Sequence, residues 1–286
     1  MYAHELFNPL RALLTPRRAA IVAIVSIVVL LRAFWSTPPT VQWRGGSLPP
    51  NPEQPAPADN PAPEITGAAQ PVAQFDIVVD DGLYPSERAA LADDLQQALA
   101  YVSQRFGSGP SERFKASVVL EQGCGLHGIA YTDARAVQVF TCNDIDRARA
   151  VAIMAHEFVH QLEQDRYGPA HLSSDTILSE GAATWGAGQY WLGGQPDFRS
   201  YVREQRKSGM FYPLATDYNG RGIGAMNALY YEWASFVDYL VTTYGREQFD
   251  RVYVTGHGSF GTADYAGVYG KGLDVLEREW QAWLDQ

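Results

Sequence analysis

His156, Glu157, Phe158, Val159 and His160 spell H-E-x-x-H within the segment RARAVAIMAHEFVHQLEQ. On a helix, residues four apart share one face a turn apart, so both imidazoles can reach a single ion. Zinc in a catalytic site takes three protein ligands and keeps a fourth position for water. The pattern therefore asks for a third donor, and Glu157, between the two histidines, is placed to polarise that water. From Ala150 to Leu162 the segment is apolar around nearly its whole circumference, through Val151, Ile153, Met154, Phe158, Val159 and Leu162. Such a helix is buried rather than superficial, and two imidazoles and a carboxylate inside it are costly unless something compensates them. A divalent cation does so. The competing reading, core histidines satisfied by hydrogen bonds, leaves Glu157 without an evident partner.

Glu180 stands twenty residues after His160, in DTILSEGAATWGAG. Here the sequence resembles the gluzincins, the thermolysin-like and aminopeptidase-like zinc peptidases of the MA clan, whose second zinc helix supplies a Glu at about this distance. Glu180 and Ala183 match that family's Glu-x-x-Ala signature. The resemblance implies one zinc per chain on His156, His160 and Glu180, a peptide or protein substrate, and water activated at the metal with Glu157 as general base. Small residues at Ala182, Ala183, Gly186 and Ala187 would let the Glu180 helix approach the first closely. Thermolysin-like enzymes often place an acid four residues after the ligand Glu to orient a ligand histidine. Thr184 stands there, which leaves Asp175 and Glu163 as candidates for that task.

Further on, Tyr230, Glu232 and Phe236 resemble the family's Tyr-x-Glu-x-x-x-Phe pattern, which implies Tyr230 as the donor to the developing oxyanion. Tyr231 points about 100° away on the same helix. His257, in TGHGSFG, is the alternative donor, whereas His127 and His171 lie in loop-like contexts without ligand spacing, and His4 lies near the N-terminus. RAVQVFT (135–141) resembles the edge strand on which such enzymes pair an extended substrate. ALYYEWASFVDYLVTTYG (228–245) and GLDVLEREWQAWL (272–284) resemble the lower helical part of these domains. The likeness spans about residues 130–286.

The elements that must position these residues follow from periodicity. QFDIVV (74–79) reads as a strand. A helix follows Pro85 and Ser86, with Leu91, Leu95, Leu99, Val102 and Phe106 at helical spacing and Gly107 closing it. KASVVLEQ (115–122), LHGIAYT (126–132) and RAVQVFT are short β-type runs bounded by Gly and Asp, which predicts a small sheet. Helices are expected at roughly 145–165, 175–191, 197–207, 227–244 and 272–284. Strands first and helices afterwards give an α+β fold, here a zincin-like domain with a small N-terminal sheet and a helical C-terminal half. Trp185, Trp191, Trp233, Trp280 and Trp283 fall at helical spacings and read as core residues rather than sugar platforms.

Residues 73–286 form this domain, and what precedes it reads differently. Residues 19–31 (AAIVAIVSIVVLL) are an apolar run that reaches Trp35 if Arg32 snorkels outward. LRAFWSTPP offers no Ala-x-Ala-like cleavage site, so residues 1–36 are read as an uncleaved transmembrane anchor. Arg11, Arg17 and Arg18 put the N-terminus in the cytoplasm and the domain outside. Residues 37–72 hold ten of the seventeen prolines and few large apolar side chains, the composition of an extended linker.

The formal charge is −10, and residues 1–36 carry four Arg against Glu5, so the remainder holds −13. That acidic body repels phosphate backbones, which excludes nucleic acid as a partner. Cys124 and Cys142, the only cysteines, are expected to be joined in an oxidising compartment. The rival reading is a non-catalytic extracytoplasmic binding domain that keeps zinc as a structural element. Retention of Glu157 argues against it, because a decayed enzyme most readily loses a base that does not hold the metal. A carbohydrate binder rests on aromatic content alone.

Overall fold

The computed structural model describes residues 75–286, so the anchor and nearly all of the linker lie outside the described residues. Among the described residues no helix is long and apolar enough to cross a membrane. The architecture is mixed α and β, rich in helix, with one four-stranded sheet. Strand β1 (Phe75–Val79) runs into α1 (Arg88–Phe106), which returns the chain to β2 (Phe114–Leu120) parallel to β1. Strands β3 (His127–Tyr131) and β4 (Ala136–Thr141) form an antiparallel hairpin through the 3-10 turn Thr132–Ala134. The order across the sheet is β1-β2-β4-β3, with β4 parallel to β2.

That order corrects one expectation. β4, the RAVQVFT strand, is interior, with β2 on one side and β3 on the other, and the edge beside it is β3. The backbone pairings fix the placement: β4 bonds to β2 on one side and to β3 on the other, while its alternation, with Val137, Val139 and Thr141 buried and Ala136, Gln138 and Phe140 partly exposed, reports only which face meets the core. His127, expected in a loop, opens β3 and stacks on Phe140 at 4.6 Å. Cys124 and Cys142 flank the open end of the hairpin at disulfide distance, their Cα atoms 5.1 Å apart.

Helix α2 (Arg147–Tyr167) starts on Asp146, whose side chain accepts from Ala148 N, the usual way to satisfy an orphan N–H. It lies under the sheet. Leu91, Leu95, Leu99 and Phe106 of α1, Phe114, Val118, Val137 and Val139 of the sheet, and Met154, Phe158 and Leu162 of α2 form one core. A 3-10 turn (Gly168–Ser173) leads to α3 (Thr176–Ala187), followed by the short α4 (Gln189–Leu192) and α5 (Phe198–Lys207). Long α6 (Ile223–Tyr244) is followed by α7 (Arg246–Tyr253), α8 (Tyr265–Tyr269) and α9 (Leu273–Leu284). Periodicity missed α7 and α8, which are too short to declare themselves against flanking Gly residues. Leu178, Val202, Trp233, Phe236, Leu240, Phe249, Tyr253 and Trp280 make the second core. Of the five tryptophans, Trp233 and Trp280 are fully buried there.

Candidate metal centre

α3 crosses α2 closely because glycine faces each neighbour. A Cβ on Gly186 would stand 2.7 Å from Val159 Cγ2 of α2, and one on Gly181 would stand 2.8 Å from the Trp233 carbonyl of α6. That approach brings Glu180 over the two histidines. His156 Nε2 lies 3.2 Å from Glu180 Oε2 and 3.2 Å from His160 Nε2, and His160 Nε2 lies 3.7 Å from Glu180 Oε2. Three lone-pair atoms thus converge on one point. Zinc bonds of about 2.0–2.1 Å in a tetrahedron set ligand-to-ligand edges of about 3.3 Å, so the donor set and its spacing fit a single ion. The three residues form a group that could hold a metal.

The far side of each imidazole is also engaged. His156 Nδ1 faces Thr184 Oγ1 at 3.4 Å, and His160 Nδ1 faces Glu163 Oε2 at 2.7 Å. Of the two candidate orienting acids, Glu163 contacts a histidine and Asp175 does not. Asp175 caps α3, accepting from Ile177 N, and also from Gly261 N, Ala263 N and Tyr265 Oη. Its buried carboxylate is consumed by the loop before α8.

Electrostatics at this point favour positive charge. Burial alone would raise Glu180, but hydrogen bonds from His156 and His160 reverse the effect and hold its pKa well below the usual carboxylate value. Burial opposes a proton on His160, and Glu163 and Glu180 together outweigh it, so its pKa stands well above that of a free imidazole. His156, deeper and less compensated, is pushed down by burial.

Glu157 is turned about 100° from His156 and points at the edge strand. A Cβ on Gly128 of β3 would lie 2.2 Å from its Oε1. Burial pushes the Glu157 carboxyl up to about 8, with His160 pulling it down and Glu180 and Glu163 adding to the rise. A cation held by the neighbouring triad would draw it down again.

Tyr230 and Tyr231 part company as their spacing requires. The Tyr230 ring stacks 5.8 Å from His156, and burial together with the neighbouring Glu180 and Tyr218 pushes its hydroxyl well above the usual phenol pKa. Tyr231 stacks on Tyr201 at 3.9 Å and donates to the Trp191 carbonyl. His257 is exposed on the loop after α7, its N–H given to Thr262 Oγ1, and no contact brings it to the triad among the described residues.

Three neighbours of the triad were not foreseen as such. Trp191 stacks 4.9 Å from His156 rather than serving only as packing. Tyr218 comes from the irregular segment between α5 and α6, where no periodicity marks it. His171, from the 3-10 turn, stands 3.5 Å from Glu163 and 2.9 Å from Tyr253 Oη.

No family model and no curated protein matches this chain. Among solved structures it is similar to an aminopeptidase N family protein from Idiomarina loihiensis, at 11% identity and a TM-score of 0.42, over 74% of this chain. The matched region spans 39% of the length of that structure.

Proposed function

We propose that this chain is a membrane-anchored zinc metallopeptidase of gluzincin type, with a zincin-like domain displayed outside the membrane. His156, His160 and Glu180 hold one zinc, and the substrate is a peptide or protein. The observation that carries this reading is the convergence of two Nε2 atoms and one carboxylate oxygen within 3.2–3.7 Å, with a fourth ionisable group, Glu157, beside them. When bound, zinc supplies a Lewis acid for the scissile carbonyl and lowers the pKa of water.

The chain's own residues do the rest. Glu157, buried beside the triad, takes the proton of the attacking water and returns it to the leaving amine. Tyr230 Oη, beside Glu180, is the donor for the oxygen that gains charge. Among the described residues β3 pairs with β4 on one side only, so its outer edge can take an extended peptide as a further strand. Gly128 keeps that strand close to Glu157 because it carries no side chain.

A zinc-holding ectodomain without turnover is separated from this reading by one experiment. Elemental analysis of the purified protein should give one zinc per chain, and hydrolysis of a mixed peptide library should be lost in Glu157→Gln while the zinc stays. A folded, active, metal-free protein would sink the reading. Zinc lost in Glu157→Gln would show that the carboxylate serves the ion instead.

A further inference from the structure

The group behind His160 is more elaborate than a single orienting acid. To present its Nε2 lone pair to a metal shared with Glu180, the imidazole must carry its proton on Nδ1, and a buried N–H needs an acceptor. Glu163 Oε2 provides it at 2.7 Å. Glu163 lies one turn along the same helix, is completely buried, and has three side-chain torsions. Something must hold it, and two groups from outside α2 do. Tyr253 of α7 faces the Glu163 carboxylate and favours its charged form. His171, from the turn after α2, lies 3.5 Å from Oε2 and 2.9 Å from Tyr253 Oη.

Tyr253 is itself fixed. Its ring stacks on Tyr167 at 4.0 Å and nearly parallel, and its hydroxyl lies beside Ser174 and Ser179. A line of polar contacts therefore runs from the helical half to a ligand histidine through an otherwise apolar interior. Helix packing alone does not call for it: burying an acid, an imidazole and a phenol is costly, and Glu163 Oε1 has no hydrogen-bond partner among the described residues.

We propose that His171 and Tyr253 are positioning residues that act through Glu163 to hold the His160 ring in the tautomer and orientation that a metal requires. The proposal rests on the zinc reading of His156, His160 and Glu180. Partners of this kind are worth about 10–100-fold in metal affinity.

The test uses full-length protein and zinc itself. Zinc affinity is measured by competition with a chelating dye, and the visible spectrum is recorded after cobalt substitution. Glu163→Gln and Tyr253→Phe are chosen because each keeps its shape, and Tyr253→Phe keeps the stack on Tyr167. Both, together with His171→Gln, should bind zinc 10–100-fold more weakly, with shifted cobalt bands. Tyr239→Phe, which removes a buried phenol bonded to Tyr244 and Glu279, should change neither.

A merely structural network would lower thermal stability and leave affinity and spectrum as they are. That result, with the parent binding one zinc, overturns the proposal and spares the site. Two metals per chain would also overturn it, because His160, Glu163 and His171 would then be ligands to a second ion. A parent that binds no zinc would overturn both this proposal and the proposed function.

Discussion

Gly128→Ala tests the assignment of Glu157 without touching any ionisable residue. An alanine Cβ at this place on β3 would stand 2.2 Å from Glu157 Oε1 and 2.6 Å from its Cγ and Cδ, where ordinary contact begins at 3.4 Å. The carboxylate must therefore retreat by about 1.2 Å, or the strand must lift by as much. Since β3 is held by β4 along five residue pairs and its end is tied by Cys124, the side chain should give way first. A misplacement of about 1 Å in a reacting group costs on the order of 10²-fold in rate. The expected phenotype is a fall of that size in kcat on a fluorogenic mixed peptide library, with zinc content unchanged and the circular dichroism of the parent. The three atoms nearest the added Cβ all belong to Glu157, so His156, His160 and Glu180, the proposed ligands, are not asked to move. A Gly128→Ala protein with parental kcat would refute the placement of Glu157 as base, and one that lost zinc would show that β3 supports the metal site instead.

Tyr230→Phe should keep zinc and fold and lower kcat by roughly 10²-fold, as loss of one oxyanion donor does, whereas Tyr231→Phe should do much less because its hydroxyl serves the Trp191 carbonyl; steady-state kinetics on the same library decide between them. Glu232, buried and accepting from Gln205 and Tyr212 N, has its carboxyl pushed from 4.5 to about 8 by burial. A folded-state pKa above the unfolded one means stability that is fully present below about pH 4.5 and lost as pH rises through about 8. At about 1.36 kcal/mol per unit the loss is on the order of 5 kcal/mol, so Glu232→Gln should flatten the decline of Tm between pH 5 and 8, and an unchanged slope would refute the assignment. Separating Cys124 from Cys142 by Cys→Ser at both positions should cost about 3 kcal/mol for a closed loop of this size, read by urea unfolding; identical midpoints would show that the pair is not joined in the native protein.

The chemistry-bearing residues were legible because their constraint is local. A spacing of four from His156 to His160, on a helix apolar on nearly every side, leaves few alternatives to a shared face. Glu180 needed the family resemblance, since nothing in the spacing alone says that α3 crosses α2 rather than another helix. The partners of the imidazoles were harder to read. Glu163 was named because it lies one turn from His160, but His171 and Tyr253 reach it from a 3-10 turn and a short helix whose placement depends on the whole lower half. Asp175 shows the reverse error: close in sequence to Glu180, it is drawn into the backbone of the loop around Gly261 and Ala263. Strand existence was legible to within a residue or two, and strand order was not. Alternation in RAVQVFT predicts one buried face whether the strand is at the edge or inside, because it reports on side chains and edge status depends on backbone partners.

α3 is the element on which both halves of the molecule depend. Ala183 and Ala187 of this helix belong to the core under the sheet, while Ile177, Leu178, Ala182 and Trp185 belong to the helical core. It is buried on nearly every face and must therefore be thin. Gly186 toward Val159 of α2 and Gly181 toward the Trp233 backbone of α6 supply that thinness at the two crossings. Glu180 is adjacent to the second crossing and is the one acidic side chain of α3. Any residue larger than glycine at 186 would push α3 off α2 and carry Glu180 away from the imidazoles, whereas one at 181 would push it off α6, from which Tyr230 reaches Glu180. The two glycines thus set two different distances, ligand to ligand and ligand to phenol. Gly186→Ala should weaken metal binding before it affects turnover per bound metal, and Gly181→Ala should do the opposite.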